Sequence, residues 1–294
     1  MRLHWTELGE NAKATPVVLL HGLNNSHLTW KHVAPVLAAD RRVFMPDLPG
    51  HGRSERADVS YALMWYAQVI AVWLQAQGLH KVDVVGHSFG GGIAQMLLLE
   101  CVERVRRLVL VASGGLGLSV GLPLRLASLP RIVEHLGQPF MALGTRLALH
   151  SARHAISKQE IAELAAYNAQ RGSARAFARS VRDVIDWRGQ RRTFFQRCEE
   201  IPELPPIAVM WGDRDTLIPM RHGLKFAARV EGVVFKQFHG SGHYLHNEQP
   251  EAFVSAVREF LDDPNARVVR AKAAPPRAQR FLRAFKQRQW LARL

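Results

Sequence analysis

Short runs of Val, Leu and Ile, bounded by Gly, Pro or Asp, recur along the chain between stretches of mixed polarity, at 16–20, 42–45, 82–85, 108–112, 207–211 and 233–238. Continuous apolar runs of this length suit strands covered on both faces. The N-terminal decad, with His4, Glu7 and Glu10, reads as one more short strand. Amphipathic stretches between the runs predict helices over about 29–39, 63–77, 90–101, 221–230 and 251–261. The alternation predicts an α/β fold, with a mostly parallel central sheet and helices on both faces.

The alternation breaks between Ser113 and about Glu200, where a Gly- and Leu-rich opening leads into further helical stretches without a convincing strand. The expected organisation is a core of 1–112 and 201–263, a helical lid over 113–200 inserted between two strands, and a C-terminal tail over 264–294. A chain of 294 residues can bury a core of that size.

Charge changes the picture of the two appendages more than that of the core. The tail has nine Lys or Arg and no acid, the lid thirteen against seven, and the remainder of the +14 chain is close to neutral. Basic charge on these segments points to an anionic surface or substrate. In the tail, 277–294 can form a helix with Ala278, Phe281, Leu282 and Phe285 on one face and Trp290, Leu291 and Leu294 off it, suited to an anionic membrane surface, the alternatives being a disordered tail or a helix docked on the body. No nucleic-acid-binding motif accompanies the charge, so nucleic acid is not an expected partner. The longest uncharged run, 108–124, is Gly-rich and short of a membrane span, and the N-terminus has no signal-peptide pattern. Cys101 and Cys198 have no metal-ligand or redox spacing. The expectation is a cytoplasmic protein, soluble or peripheral to a membrane, with its oligomeric state left open.

The chemistry is carried first by Gly86-His87-Ser88-Phe89-Gly90, which follows the apolar run 82–85 and precedes a helical stretch. A G-x-S-x-G between strand and helix holds its serine on a sharp turn with the hydroxyl exposed. The helix N-terminus supplies N–H donors, the first being the backbone N–H of Phe89, for a developing oxyanion. A serine nucleophile needs a base, and the base an orienting acid. Two sequences at later strand ends can supply them: Gly212-Asp213-Arg214-Asp215 after 207–211, and Gly242-His243 after 233–238. Of fourteen histidines, His243 alone combines chain order, strand end and a flanking glycine. His21, His51, His87 and His246 read as structural polar residues. Spacing alone leaves Asp213 and Asp215 as alternatives for the acid.

These marks, with His21-Gly22, Asp47-Leu48-Pro49-Gly50-His51-Gly52-Arg53-Ser54, Glu248 and Pro250, resemble the α/β-hydrolase family over about residues 1–263. The resemblance implies a serine hydrolase with Ser88 as nucleophile, His243 as base and Asp215 as acid. In the family's pattern the acid lies three residues after the glycine and four before the proline, which for Gly212 and Pro219 implies Asp215. It implies the N–H of Leu23 as a second oxyanion donor, and neither metal nor cofactor. Within this family the expected activity is cleavage of lipid-like or other small carboxylic esters with apolar acyl groups, since 116–149 is dense in leucine and could line an acyl pocket.

Carbon–carbon bond hydrolases of the fold are the alternative. An asparagine commonly precedes their nucleophile and a tryptophan commonly follows their histidine, where this chain has His87 and Tyr244. Epoxide hydrolases and haloalkane dehalogenases would require an aspartate in place of Ser88. Perhydrolysis would be a side activity of the same triad, and a receptor-like protein with slow turnover is a reading from another class.

Overall fold

The computed structural model describes residues 1–10, 13–128, 132–152, 154–191, 194, 201 and 203–271. In chain order its strands are β1 (Trp5–Leu8), β2 (Val17–Leu20), β3 (Val43–Pro46), β4 (Val82–His87), β5 (Val105–Val111), β6 (Ile185–Asp186), β7 (Gly189–Gln190), β8 (Ile207–Gly212), β9 (Val230–Glu231), β10 (Val234–Phe238) and β11 (Arg270–Ala271). The helices outside the 113–200 stretch are α1 (Ala34–Leu37), α2 (Leu63–Ala76), α3 (Phe89–Cys101), then α9 (Arg221–Arg229), α10 (Leu245–Glu248) and α11 (Pro250–Asp262). Between β5 and β8 lie α4 (Leu122–Ala127), α5 (Ile132–Leu136), α6 (Met141–Ala148), α7 (Lys158–Ala169) and α8 (Ser173–Val184).

Seven strands form one sheet in the order β1-β3-β2-β4-β5-β8-β10, parallel throughout except for β1, which runs antiparallel to β3. Every residue of β2, β3, β4 and β8 is buried, as the uninterrupted apolar runs require of strands with helices against both faces. α2 turns Tyr66, Ala67, Ile70, Trp73 and Leu74 inward at helical spacing. The edge strand β10 instead alternates between exposed and half-buried positions before the buried Phe238.

Several boundaries differ from those the apolar pattern predicts. The helix expected over 29–39 is divided into a 3-10 turn (His27–Trp30) and α1, because the Ser26 hydroxyl caps the turn and Pro35 sits at the start of α1. β5 begins three residues earlier than expected, at Val105. Its first turn carries Arg106 and Arg107, which read as polar but are held. Arg106 bonds both oxygens of the buried Asp83 on β4, and Arg107 donates to the carbonyls of Phe260 and Asp263 with its guanidinium over the Phe260 ring.

Among the described residues the stretch after β5 is mostly helical but contains a small hairpin, β6 with β7, that the sequence pattern does not announce. Arg56 ties this stretch to the loop after β3. Its guanidinium reaches the Ser173 hydroxyl and the Tyr167 carbonyl, while also bonding the carbonyls of Gly52 and Ser54. Asp183 accepts the N–H of Leu63, and Ser180 bonds the Tyr66 hydroxyl. At the other end of the chain, β11 pairs antiparallel with β9 and Val269 bridges Leu204, so the basic tail expected from 264 begins against the body. The helix expected over 277–294 lies outside the described residues. Among the described residues no helix is long and apolar enough to cross a membrane.

Candidate functional site

The C-terminal ends of β2, β4, β8 and β10 lie along one edge of the sheet, so the residues that follow them converge there. Ser88 stands between β4 and α3 at φ 53° and ψ −114°, a conformation rare for a residue with a side chain. The turn is possible because its flanks carry no Cβ. One on Gly90 would overlap the carbonyl oxygens of Leu20 and His21, and one on Gly86 would lie 2.6 Å from the Gly90 carbonyl oxygen. The Ser88 carbonyl is tied down by the N–H groups of Gly91, Gly92 and Gly114, and its N–H donates to Val111. The side chain is left half-exposed at the helix N-terminus.

His243 follows β10, and its Nε2 lies 3.0 Å from Ser88 Oγ. Its Nδ1–H donates to Asp215 Oδ2 at 2.8 Å, which leaves Nε2 with a lone pair for the serine proton. The Asp215 side chain is fully buried, and its other oxygen accepts the N–H groups of Leu217 and Ile218, each at 2.9 Å. The carboxylate is therefore aimed by backbone before the histidine arrives. Asp213, two residues earlier, turns the other way and accepts the Gly240 N–H at 2.8 Å and the exposed His239 ring. Of the two acids that spacing leaves open, the fold brings Asp215 to His243.

Phe89 is the first residue of α3, a position whose N–H has no partner within its helix. The loop carrying Leu23 passes close to Ser88, since a Cβ on Gly22 would lie 3.3 Å from the Ser88 Cβ. Leu23 shares an apolar cluster with Val120, Leu124, Val181 and Ile185, while Leu28 and Tyr244 join a second with Leu149, Ile156, Ile161 and Leu164. The helical stretch thus covers the loops beside Ser88 with hydrocarbon on two sides. The leucines expected to form an acyl pocket are divided, however. Leu116 and Leu149 are buried, but Leu118, Leu122, Leu126, Leu136, Leu143 and Leu147 face solvent. A period of three to four puts neighbouring leucines of one short helix on its outer side while residues such as Met141 and Thr145 take the inner side.

Behind the triad lies a group of buried histidines that sequence reading assigns only a structural part. His87 donates its Nε2–H to the carbonyl of His243 at 2.9 Å, so it fixes the backbone that carries the candidate base. His246 bonds Thr29 and packs on Trp30, with ring centroids 4.7 Å apart. His21 donates to the Gly22 carbonyl and accepts the Leu48 N–H. Burial pushes all of them toward the neutral form: His246 down to about 3, His21 to about 4, and His87 well below the usual imidazole range. Glu248 contributes differently, accepting the Gly242 N–H just before His243.

A second cluster, His4, His27 and Asp47, has the residue types of a metal site. Both ring Nδ1–H groups donate to Asp47, and the backbone N–H groups of His27 and Arg53 occupy the same two oxygens. Burial alone would raise the Asp47 pKa, but the His27 hydrogen bond and charge, helped by His21 and the Arg53 N–H, hold it well below the carboxylate range. With its oxygens so engaged, Asp47 acts as the tie between β1, the loop after β2 and the loop after β3.

The chain belongs to the alpha/beta hydrolase fold family, which it matches over residues 15–250. It is therefore an alpha/beta hydrolase. An uncharacterized protein of Mycobacterium tuberculosis is 32% identical over 256 residues, which cover 84% of this chain and 75% of that one. The 2-hydroxymuconate semialdehyde hydrolase of Pseudomonas sp. (strain CF600) is 30% identical over 272 residues, covering 90% and 93%. Among solved structures, the meta-cleavage product hydrolase of Pseudomonas fluorescens IP01 superposes with a TM-score of 0.72 at 22% identity, covering 90% of this chain and 95% of that one, a likeness of fold.

Proposed function

We propose that the protein is a serine hydrolase that cleaves carboxylic esters of apolar acyl groups through an acyl-enzyme. The observation that carries the reading is the unbroken chain of contacts from Asp215 through His243 to Ser88, with the serine held at the elbow in front of a helix N-terminus. As Ser88 Oγ attacks the acyl carbonyl carbon, its proton passes to His243 Nε2, and the imidazolium that forms is stabilised by Asp215. The N–H groups of Leu23 and Phe89 take the oxyanion, each being worth on the order of a hundredfold in turnover. Collapse of the tetrahedral intermediate breaks the bond to the leaving alkoxide, which takes the proton from His243. Water then repeats the cycle on the acyl-enzyme and releases the acid. The apolar side chains of Leu23, Phe89, Leu28 and Tyr244 around these groups favour a hydrocarbon acyl chain. In this reading 113–200 is a lid that shapes specificity.

Hydrolysis of a carbon–carbon bond next to a ketone is the second reading, and the similarity to 2-hydroxymuconate semialdehyde hydrolase favours it. Against it stand His87 and Tyr244 at the positions flanking the candidate nucleophile and base. The deciding experiment measures turnover of nitrophenyl esters of increasing acyl length beside 2-hydroxymuconate semialdehyde, for wild type and Ser88→Ala. The ester reading requires serine-dependent release of nitrophenol. Folded protein that consumes the semialdehyde and leaves every ester intact would replace it with the second reading.

A further inference from the structure

Two of the helices that contact the Leu23–Asn24 loop present the reverse of an ordinary surface. On the inner side of α4, Leu124 packs in the cluster that includes Leu23, and on the inner side of α6 the Thr145 hydroxyl accepts the Asn24 amide at 3.0 Å. Their outer sides carry Leu122 and Leu126 on α4, and Phe140, Leu143 and Leu147 at the head and along α6, every one more than half exposed. Trp187, at the turn of the β6–β7 hairpin, is the most exposed large apolar residue among those described, at 68%. Single exposed leucines are ordinary, but five large apolar residues turned outward on two helices that hold one loop are not.

Charge says what would cover this face. From Ser113 to Gln159 the chain carries five Lys or Arg and one acid, Glu134. That acid is already bound to Arg179 and Arg182. Arg146 lies exposed on α6 between Leu143 and Leu147, and Arg188 stands exposed beside Trp187, its backbone N–H held by the half-buried Asp186. A second copy would bring two basic faces of a +14 chain together, whereas anionic phospholipid supplies both hydrocarbon for the leucines and counter-charge for the arginines. We infer that the outer face of α4, α6 and the β6–β7 turn is a docking surface for an anionic lipid bilayer, which sets the loops beside Ser88 facing the membrane. The inference concerns binding and does not depend on which bond is cleaved.

The test is sedimentation of the full chain with vesicles of phosphatidylglycerol and phosphatidylcholine (1:1) or of phosphatidylcholine alone. Wild type is expected to partition at least about tenfold more strongly to the anionic vesicles, and to lose binding as salt is raised. Leu122→Asp/Leu126→Asp/Leu143→Asp/Leu147→Asp is expected to lower the partition on the order of a hundredfold, because aspartate can neither bury hydrocarbon nor approach the lipid charge. Leu143→Ser/Leu147→Ser serves as a milder form if the fourfold variant does not fold, with a loss of about tenfold expected. Circular dichroism and turnover of a short soluble ester or of the semialdehyde verify that the variants are intact. Absence of binding by wild type overturns the inference. So does unchanged binding by the folded variants, which would leave adsorption to basic charge elsewhere. A dimer that these substitutions dissociate, without vesicle binding, would assign the face to a second copy.

Discussion

Replacing Asp215 by asparagine tests the triad at the point where geometry fixes the outcome. One carboxylate oxygen of Asp215 accepts the N–H groups of Leu217 and Ile218, and the other accepts Nδ1–H of His243. An asparagine has one acceptor oxygen and one donor nitrogen, and only the oxygen can satisfy two backbone N–H groups. The side chain must therefore turn its oxygen to the backbone and its NH2 to His243. That nitrogen can donate but not accept, so the imidazole responds by placing its own proton on Nε2, where it faces Ser88. The histidine then cannot take the serine proton, although every atom stays within a few tenths of an ångström of its place.

The cost is that of reaching the minor tautomer with an unpaired contact and of losing the charge opposite the imidazolium, about 4–5.5 kcal/mol, or on the order of a thousand- to ten-thousandfold in kcat. KM and the unfolding midpoint change little, because the backbone bonds survive. Stopped-flow measurement of the nitrophenol burst locates the loss in acylation, and Asp213→Asn, whose carboxylate serves only the Gly240 turn and His239, provides the contrast with kcat within about twofold of wild type. Asp215→Asn protein that keeps turnover within tenfold of wild type, or an equal loss on changing Asp213, would refute the assignment.

Three further outcomes follow from the same region. His21, His51, His87 and His246 are buried and neutral, with folded pKa values near 4, near 3, well below the usual value and near 3, against 6.5 when exposed. Below pH 6.5 the unfolded chain binds protons that the folded chain refuses, so stability is full above that pH and falls toward pH 4 by about 1.4 kcal/mol per pH unit for each such histidine. Urea midpoints recorded between pH 7 and 5 measure the slope, and a flat profile would contradict it. Gly90→Ala drives a methyl into the carbonyls of Leu20 and His21 and should cost about 3 kcal/mol or prevent folding, seen as a lowered thermal midpoint. His87→Ala removes the donor to the His243 carbonyl and is expected to lower kcat by about tenfold to a hundredfold with KM nearly unchanged, while a proportional loss of folded protein would make it a packing residue only.

The elbow was legible because it is defined by side chains that are absent as much as by one that is present. Gly86, Ser88 and Gly90 after an apolar run admit few folds other than strand, tight turn and helix. The start of β5 was not legible, because Arg106 and Arg107 enter a buried strand through partners on β4, in the last turn of α11 and just after it. Pro35 and Ser26 broke a helix that apolar spacing alone would have carried through. The choice of Asp215 over Asp213 was legible only through the family's pattern, because what decides it physically is which carboxylate meets the N–H groups of Leu217 and Ile218. The oxyanion donor proposed on the backbone of Leu23 leaves no side-chain mark at all. The outward leucines misled for a related reason: composition counts apolar residues but not the side of the helix on which they stand.

The buried histidines also bear on the proton transfer proposed for the candidate base. In the proposed reaction His243 accepts the serine proton, and the cation would form with the ring centroid of His87 only 4.8 Å away. A second positive charge at that distance would cost several kcal/mol at the effective dielectric of a protein interior, on the order of the whole effect of an orienting aspartate. Burial removes the conflict by keeping His87 and His246 neutral. Asp215 bonds the Nδ1–H of His243, and its other oxygen accepts two backbone N–H groups. The imidazolium therefore faces one anion and no competing cation from that group, and the rings that pack behind it act through the charge they decline to carry.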